Sequence, residues 1–229
     1  FNLKTQGTSL ESDLYKHMYS ELDNPMIRDH IKSGYPKASI TRRNTGYAVD
    51  ALMETNVFTE SNDAFNFSKL LCGSEGTLAF TTELKLKIVP LPKPFQVVLN
   101  AHFDSITESL HATLVAMKQS PSACELMDKT ILDCTKDNIT QQKNRFFVEG
   151  DPEAILMVEF RGDSLEEAKQ HAKALETNLK TSQLGYAYKL VEGEGCDKVW
   201  DLRKAGLGLL ANIPGDAKAV ACIEDTAVA

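Results

Sequence analysis

The sequence predicts an α+β protein made of two parts. Within residues 1–91, helix-spaced apolar positions precede a glycine-containing loop and one long segment of strictly alternating residues. Within residues 92–229, strand-like and helix-like segments follow one another as strand–helix–strand, and this order occurs twice. Apolar residues make up 42% of the 229 positions, which is typical of a chain that folds around a core.

The net charge and the cysteines exclude several classes of protein. The chain carries 32 Asp and Glu residues against 25 Lys and Arg residues, and a net charge of −7 without a basic stripe repels nucleic acid. Its apolar runs are shorter than the roughly 18 residues that cross a membrane. The five cysteines lack the spacing of a zinc site or a disulfide framework, so we expect buried or half-buried free thiols in a reducing, cytoplasmic compartment.

The first part is predicted to be mainly helical. Apolar residues at steps of four indicate a helix over residues 10–22, and an Asn-Pro start with a closing glycine indicates a second over residues 24–34. A third, short helix is predicted over residues 67–71. The polar stretch over residues 35–64 is long for a connection inside a domain, which favours a functional loop.

A long half-buried strand is predicted over residues 78–89. Apolar residues and one threonine occupy every second position, and the charged residues all fall on the other face. Three alternate prolines then end the strand, because proline cannot donate to a ladder. We place a domain boundary in residues 91–94, so that residues 1–91 and 92–229 form separate domains.

The second part is predicted to form one sheet. Its strands are expected over residues 95–103, 123–127, 155–160 and 186–191. Capping boxes at Ser105 and Ser164 begin helices predicted over residues 106–117 and 165–179. Two further helices and a last strand are expected over residues 129–135, 197–210 and 219–224 respectively. Two strand–helix–strand units side by side form a ferredoxin-like antiparallel sheet with helices on one face.

The strongest candidate for chemistry is the loop CGSEGT at residues 72–77, between the third helix and the predicted strand. Glycines let a backbone approach a ligand closely, and successive N–H groups in such a loop can hold an anion. The loop lacks the GK[ST] ending of a P-loop and the GxGxxG spacing of a dinucleotide-binding turn. Taken by itself, such a loop more often marks an ordinary turn before a strand.

With its surroundings the loop resembles the end of the FAD-binding domain in the FAD-linked oxidase family. This family includes vanillyl-alcohol-oxidase-type flavoproteins, glycolate oxidase and D-2-hydroxyacid dehydrogenases, and its pattern is GSEGTLG, TE, an alternating strand and PxP. The sequence has GSEGTLA at residues 73–79, ELKL at 83–86, PLP at 90–92 and NTGY at 44–47. Ala79 replaces the usual last glycine of the loop, a departure that adds one methyl group.

The second part agrees with this resemblance. ACELMD at residues 123–128 resembles an element of the family's cap domain, WDLR at 200–203 resembles its WxxR helix, and IEDTAV at 223–228 resembles its EDxAVP strand. Ala229 stands where proline is usual. Over residues 35–229, the resemblance implies the tail of an FAD-binding domain followed by an incomplete cap domain. The family's PxGGGT pyrophosphate loop and histidine-rich metal motif are not in the sequence, and its first residue is not methionine. We therefore expect an internal fragment of a longer enzyme, with the catalytic base and metal ligands elsewhere.

The resemblance implies an FAD-dependent oxidoreductase that oxidises a 2-hydroxy acid, similar to D-lactate or glycolate, by hydride transfer to the flavin. It implies FAD contacts for six loop residues, namely Gly73, Ser74, Glu75, Gly76, Thr77 and Leu78. The spacing of the motifs is most similar to that of large bacterial members fused to an iron–sulfur module, which implies an iron–sulfur cluster outside this chain. The resemblance is compatible with a homodimer and does not identify the electron acceptor.

Four residues are predicted to bind the substrate, namely Arg42, Arg43, Thr45 and Arg203. A guanidinium fork suits the carboxylate of a hydroxy acid, and either of the two arginines before the NTGY element can match the family's arginine. Non-functional alternatives stay open. Arg42 and Arg43 can be a solvated surface pair, Thr45 a turn residue and Arg203 a partner in a structural ion pair. Trp200 is expected in the core. No catalytic residue or metal ligand is assigned, because the five histidines lack ligand spacing.

A second class of function remains open at this point. A non-enzymatic ferredoxin-like module that binds a ligand or regulates a partner would account for residues 92–229. It would not account for the loop and the alternating segment over residues 73–92. Composition and periodicity alone predict only a soluble α+β chain with a glycine-rich loop.

Overall fold

The computed structural model describes residues 1–40, 42, 46–213, 215, 216, 218 and 226, and only the backbone of Leu207. The chain divides into two compact units, which are Phe1–Lys87 and Ile88–Val220 within those described residues. The predicted domain boundary in residues 91–94 lies a few residues beyond this division and stays a prediction. The strand predicted over residues 219–224 lies outside the described residues.

The described part of the first unit contains five helices. Their bounds are α1 Asn2–Thr5, α2 Leu10–Leu22, α3 Pro25–Gly34, α4 Val49–Met53 and α5 Ser68–Leu71. Helices α2, α3 and α5 confirm the three predicted helices. The Asn24 side chain caps α3, because it accepts a hydrogen bond from the Met26 N–H at 2.9 Å. Helix α4 interrupts the stretch that was predicted to be a polar loop.

An aromatic cluster holds the helices of the first unit together. Phe65 lies at its centre and is 6% exposed. Its ring centroid lies 5.3–6.1 Å from the rings of Phe1, Tyr15, Phe58 and Phe67. Such tilted and edge-to-face contacts add to the stabilisation from hydrophobic burial. Leu70 of α5 packs into the same cluster, which fixes the start of the glycine-containing loop.

The prediction of a strand over residues 78–89 is wrong. This segment has no regular secondary structure, and its side chains are exposed, with Phe80 at 92% and Ile88 at 89%. Within the described residues, no strand pairs with it. Alternation shows only that a segment can occupy a half-buried position in a sheet. A strand also needs a neighbouring ladder, and the sheet of this chain begins at Phe95.

The second unit confirms the four predicted strands and both capped helices. Its elements are β1 Phe95–Phe103, α6 Ile106–Met117, β2 Ala123–Asp128, α7 Lys129–Cys134, α8 Ile139–Gln142, β3 Ala154–Gly162, α9 Leu165–Thr181, β4 Ala187–Glu192 and α10 Glu194–Ala211. The sheet order is β2-β3-β1-β4, and all three pairings are antiparallel. Leu99 at the centre of the sheet faces Val158 on one side and Leu190 on the other. This is the predicted ferredoxin-like arrangement.

Helices cover both faces of this sheet, whereas the sequence predicted helices on one face. The first face packs against α6 and α9, with Leu99 and Leu175 fully buried. The second face packs against α7, α10 and Phe147, with Val98 and Leu202 fully buried. The near-continuous apolar run of β3 gives the physical reason, because a strand buried on both faces loses its alternation.

Helix α6 turns its large apolar residues outward. The stripe predicted from helical spacing is present and consists of Ile106, Leu110, Leu114 and Met117. Each of these side chains is 47–66% exposed. The residues that are buried on this helix are small, namely Ser109, Ala112 and Ala116. The spacing therefore located the helix but did not identify its buried face.

Candidate functional site

The loop after α5 adopts a backbone conformation that needs its glycines. The φ angles are 97° at Gly73, 51° at Glu75 and 75° at Gly76, all in the left-handed region that glycine tolerates best. A Cβ atom added at Gly76 would meet no atom within 4 Å. The backbone at Gly76 therefore faces open space, where a ligand can approach it closely.

Ser74 fixes this loop from within. It is buried, and its hydroxyl donates to the Leu71 carbonyl at 2.9 Å. Its own carbonyl accepts the Thr77 N–H at 3.0 Å and the Thr77 hydroxyl at 2.6 Å. Ser74 therefore holds the loop to the end of α5, which is a structural position rather than an exposed one.

The structure brings Gly46 and Tyr47, the described residues of the NTGY motif, against the glycine-containing loop. A Cβ atom added at Gly73 would lie 2.9 Å from the Gly46 carbonyl oxygen, so the two backbones touch at a point where only glycine fits. The hydroxyls of Tyr47 and Thr77 are 2.6 Å apart. The Tyr35 hydroxyl donates to the Tyr47 carbonyl at 2.5 Å. Two motifs separated by about thirty residues thus form one surface.

This surface fits an anionic cofactor such as FAD. Five of the six predicted FAD-binding residues, all except Ser74, are exposed. Backbone N–H groups in an αL-containing loop form a concavity that suits phosphate oxygens, and a bare glycine permits a ring or a phosphate to approach. The residues present are therefore compatible with FAD on the Gly76 side of the loop. Leu78 is 46% exposed and can offer an apolar contact there.

Arg203 lies at an open depression in the second unit. Helix α10 presents its guanidinium, and Nη2 lies 2.9 Å from Oε2 of Glu125 on β2. The depression has a volume of about 400 Å³ and is lined by Ala123, Glu125, Glu159, Trp200, Arg203 and Lys204. Nε of Arg203 is buried and has no hydrogen-bond partner in the part of the chain that the structure describes. Arg203 thus forms an ion pair and also lines this depression, while its contact with a substrate stays a prediction.

A second carboxylate at the depression, that of Glu159, already accepts hydrogen bonds at both of its oxygens. Glu159 is 6% exposed and lies on the face of β3 that α10 covers. Its Oε1 accepts from Nε of Arg161 at 2.7 Å, and its Oε2 accepts from Nε1 of Trp200 at 3.1 Å. Such pairing is what a buried charge requires. Trp200 is half-buried and packs against the core of the second face, as expected.

Of the other three predicted substrate residues, the structure describes only Arg42, which is exposed in the first unit. Arg43 and Thr45 lie outside the described residues, and so does most of the predicted EDxAVP-like strand over residues 223–228. Glu125 was not predicted as the partner of Arg203. The signal that could have found it is the placement of an acidic residue on the Ala123 and Met127 face of a strand, where an apolar residue is expected.

The cysteines agree with the prediction in three cases and contradict it in one. Four free thiols lie within the described residues, and Cys222 lies outside them. Cys124, Cys134 and Cys196 are half-buried or buried, and burial raises the pKa of the Cys124 and Cys196 thiols to about 11. Cys72 is exposed instead, because it lies beyond the end of α5 at the start of the loop.

Neither a metal site nor a membrane-spanning helix is found in the described part of the chain. It holds no group of three or more His, Cys, Asp or Glu side chains arranged to bind a metal ion. Of the helices that the structure describes, none is long and apolar enough to cross a membrane. The metal ligands that the resemblance places elsewhere stay a prediction.

Comparison with known proteins gives relatives that are dehydrogenases or oxidases of 2-hydroxy acids by name. The chain is 31% identical over 211 residues to D-2-hydroxyglutarate dehydrogenase of Pantoea ananatis and 30% identical over 207 residues to that of Pseudomonas putida. These alignments cover 88% and 86% of this chain and 20% of each relative. Glycolate oxidase subunit GlcD of Escherichia coli is 35% identical over 103 residues, or 43% of this chain and 19% of the relative. The chain thus spans about a fifth of the length of these proteins.

The matched region coincides with the second part of the chain. The family described as FAD linked oxidases, C-terminal domain, matches residues 92–229, which is more than half of the sequence. That region contains the four-stranded antiparallel sheet and the depression at Arg203. From this match and the relatives, we conclude that the chain belongs to the FAD-linked oxidase family.

Proposed function

We propose that this chain acts within an FAD-dependent dehydrogenase of D-2-hydroxy acids, with residues 1–91 contributing to the flavin site and residues 92–229 to the substrate site. The observation that carries the proposal is the guanidinium of Arg203 at an open depression, on a domain that FAD-linked oxidases share. D-2-hydroxyglutarate is the first substrate to test, because two relatives at 31% and 30% identity are dehydrogenases of that acid by name.

The glycine-containing loop supports the flavin half of the proposal. Bound FAD would supply the hydride acceptor, so the chain itself needs no nucleophile. Gly76 offers backbone without a side chain in front of it, whereas Gly73 lets the loop pack against the Gly46 carbonyl. Because the loop is already held by Ser74 and by Tyr47, those of its N–H groups that do not donate to protein carbonyls can donate to anionic oxygens without reorganisation.

Arg203 supports the substrate half of the proposal. Its planar guanidinium matches a carboxylate, and such a pair fixes orientation as well as affinity. Helix α10 is itself held on the sheet by the buried residues Val199 and Leu202. A carboxylate bound at Arg203 would therefore be anchored to a rigid element, which presents the hydroxyl-bearing carbon in one direction.

Other contacts remain part of the proposal. Arg42, Arg43 and Thr45 are still predicted to contact the substrate, from the resemblance of their segment alone. The iron–sulfur cluster outside this chain, a homodimer and a cytoplasmic location also remain predictions. The relatives are dehydrogenases and an oxidase by name, which favours an enzyme over the non-enzymatic module that the sequence left open.

The experiment is to purify the full-length protein and follow its flavin absorbance under anaerobic conditions. We expect D-2-hydroxyglutarate to bleach the oxidised flavin bands, with D-lactate and glycolate slower and L-2-hydroxyglutarate inactive. A purified protein without flavin, or a flavin that none of these acids reduces, would contradict the proposal.

Arg203 variants then test the substrate half. Losing a charged hydrogen-bond partner typically costs about 1.5–3 kcal/mol, so Arg203→Ala should lower kcat/KM by roughly tenfold to a hundredfold. Arg203→Lys should recover only part of this loss, because an ammonium cannot form the fork. Lys198→Ala is the matched control, since this exposed cation lies on the same helix and does not line the depression.

A further inference from the structure

We propose that Glu125 is the residue that positions Arg203 for the substrate carboxylate, a role that rests on the proposed function. Glu125 lies on β2 and Arg203 on α10, two elements that meet at the depression. Oε2 of Glu125 lies 2.9 Å from Nη2 of Arg203. Glu125 therefore acts through another side chain rather than on the substrate itself.

The geometry of the guanidinium supports this role. Contact through Nη2 leaves Nη1 available to a substrate oxygen. Nε is buried and has no partner within the described residues, so the hydrogen bond that orients the guanidinium here is the one to the Glu125 carboxylate. The Arg203 side chain is 38% exposed, and an arginine with several rotatable bonds at such a site samples many conformations unless something holds it.

The other carboxylate that the structure places at the depression is held by partners other than Arg203. Glu159 lines the depression too, but both of its oxygens already accept hydrogen bonds, from Arg161 at 2.7 Å and from Trp200 at 3.1 Å. Breaking either contact would leave a buried charge without its partner, which is costly. Removal of Glu125 should therefore leave Arg203 without a substitute acceptor at the depression.

The expected cost is moderate because the pair is partly exposed. Side-chain exposure of 38% for Arg203 and 44% for Glu125 means that water screens the contact. Without Glu125, the substrate must order the guanidinium when it binds, which weakens binding more than it slows the reaction. We expect Glu125→Ala to raise KM about fivefold with kcat changed less than about twofold. Glu125→Gln keeps an acceptor oxygen and should have a smaller effect in the same direction.

A double-mutant cycle in the full-length protein separates this role from a structural one. The variants are Glu125→Ala, Glu125→Gln, Arg203→Ala and the two double variants, assayed with D-2-hydroxyglutarate after flavin content has been matched. If Glu125 acts through Arg203, its replacement should change kcat/KM less than about twofold once Arg203 is alanine. Glu192→Ala is the matched control, because this carboxylate lies on β4 of the same sheet and pairs with Lys169 of α9. It is 50% exposed and does not line the depression.

The outcomes are distinguishable. Equal losses in both backgrounds would show a structural contribution and overturn the proposal, as would an unchanged or lowered KM in both Glu125 variants. Should Glu125→Ala fail to fold, the isosteric Glu125→Gln carries the same test. If Arg203→Ala keeps the wild-type kcat/KM, the proposed substrate site itself is wrong; if only the Glu125 variants behave as wild type, the positioning role alone is wrong.

Discussion

At the scale of single residues, the buried imidazole of His102 has hydrogen-bond partners at both ring nitrogens. It lies on β1 and is fully buried. Its Nε2 accepts the Glu149 N–H at 3.1 Å, so the proton of the neutral ring is assigned to Nδ1, which lies 3.3 Å from the Ala187 carbonyl. Burial lowers the pKa of His102, and this outweighs the Ala187 contact and the nearby Glu149 carboxylate.

This arrangement predicts a pH-dependent stability for the second unit. The unfolded ring titrates near its ordinary pKa of 6.5, while the folded ring titrates below it. Well above pH 6.5 the ring is neutral in both states and the contribution to stability is complete. As the pH falls below that value the unfolded state takes up the proton first, so the free energy of unfolding decreases until the folded pKa is passed.

Urea unfolding at several pH values between about 7.5 and 5 measures this effect. Trp200 is the only tryptophan and packs in the same unit, so its fluorescence reports the transition. We expect the wild-type protein to lose stability over this range and His102→Gln to lose less. His111 is exposed on α6, and His111→Gln is the control, which should follow the wild-type curve. Parallel curves for His102→Gln and the wild type would refute the assignment.

At the scale of elements, the glycine-containing loop gives a sharper prediction than its sequence pattern did. Gly76 has φ of 75° and its Cα faces open space. Valine at this position is strained, because β-branched residues do not tolerate that φ, and its methyl groups would occupy the space that a ligand needs. In the full-length protein, Gly76→Val should reduce flavin content to a small fraction of one per chain.

Flavin absorbance per polypeptide measures this outcome, and circular dichroism checks the fold. Gly34→Val is the matched control, since Gly34 ends α3 without positive φ, and a Cβ added there would meet no atom within 4 Å. Its flavin content should match that of the wild type. Normal flavin content in Gly76→Val would remove this side of the loop from the site.

Elements with local signals could be predicted from the sequence. The Ser105 and Ser164 hydroxyls accept hydrogen bonds from the N–H groups three residues on, at 3.1 Å and 3.2 Å, as the capping boxes required. The Asp128 side chain caps α7 in the same way, because it accepts a hydrogen bond from the Ile131 N–H at 3.0 Å. These contacts lie within a few residues of each other, so the sequence contains all the partners.

Elements that depend on distant partners could not be predicted in this way. The alternating segment over residues 78–89 lacks a neighbouring strand among the described residues, and alternation carries no information about whether one exists. The covering of the second sheet face by Phe147 and α10 also could not be predicted, because it depends on residues distant in sequence. On α6, small Ala112 and Ala116 let the helix approach the sheet, a choice that spacing alone does not reveal.

The two parts of the candidate site differ in the same way: one is local in sequence and the other joins distant elements. The glycine loop is continuous in sequence, so its motif identified it, and the structure added only its contact with Gly46 and Tyr47. The Arg203 site joins β2 to α10, which are 78 positions apart at the pair itself. Arg203 could be identified from the WxxR motif. Its partner Glu125 could be identified only from the tertiary structure, because an ion pair between distant elements leaves no periodic signal in the sequence.

At the scale of the whole molecule, the length of the chain sets how much of a flavin site it can offer. The chain spans 20% of the dehydrogenases that it matches. In the first unit, the surface formed by Gly46, Tyr47 and residues 73–78 is the part that we propose to contact FAD. The resemblance places the main pyrophosphate loop of the family in sequence outside this chain. An isolated loop must then meet the whole entropic cost of holding the cofactor.

We therefore predict that the 229-residue chain binds FAD only weakly. Three backbone hydrogen bonds to anionic oxygens would contribute at most about 4.5–9 kcal/mol. Association costs roughly 4–15 kcal/mol in lost freedom, so the net binding free energy is no more favourable than about −5 kcal/mol and Kd is near millimolar or weaker. Titration of the purified chain, followed by flavin fluorescence, should show no saturation at micromolar FAD, whereas the full-length protein should retain its flavin through gel filtration. Flavin co-purifying with the 229-residue chain at near one per polypeptide would show that these residues form a far more complete site than one loop can provide.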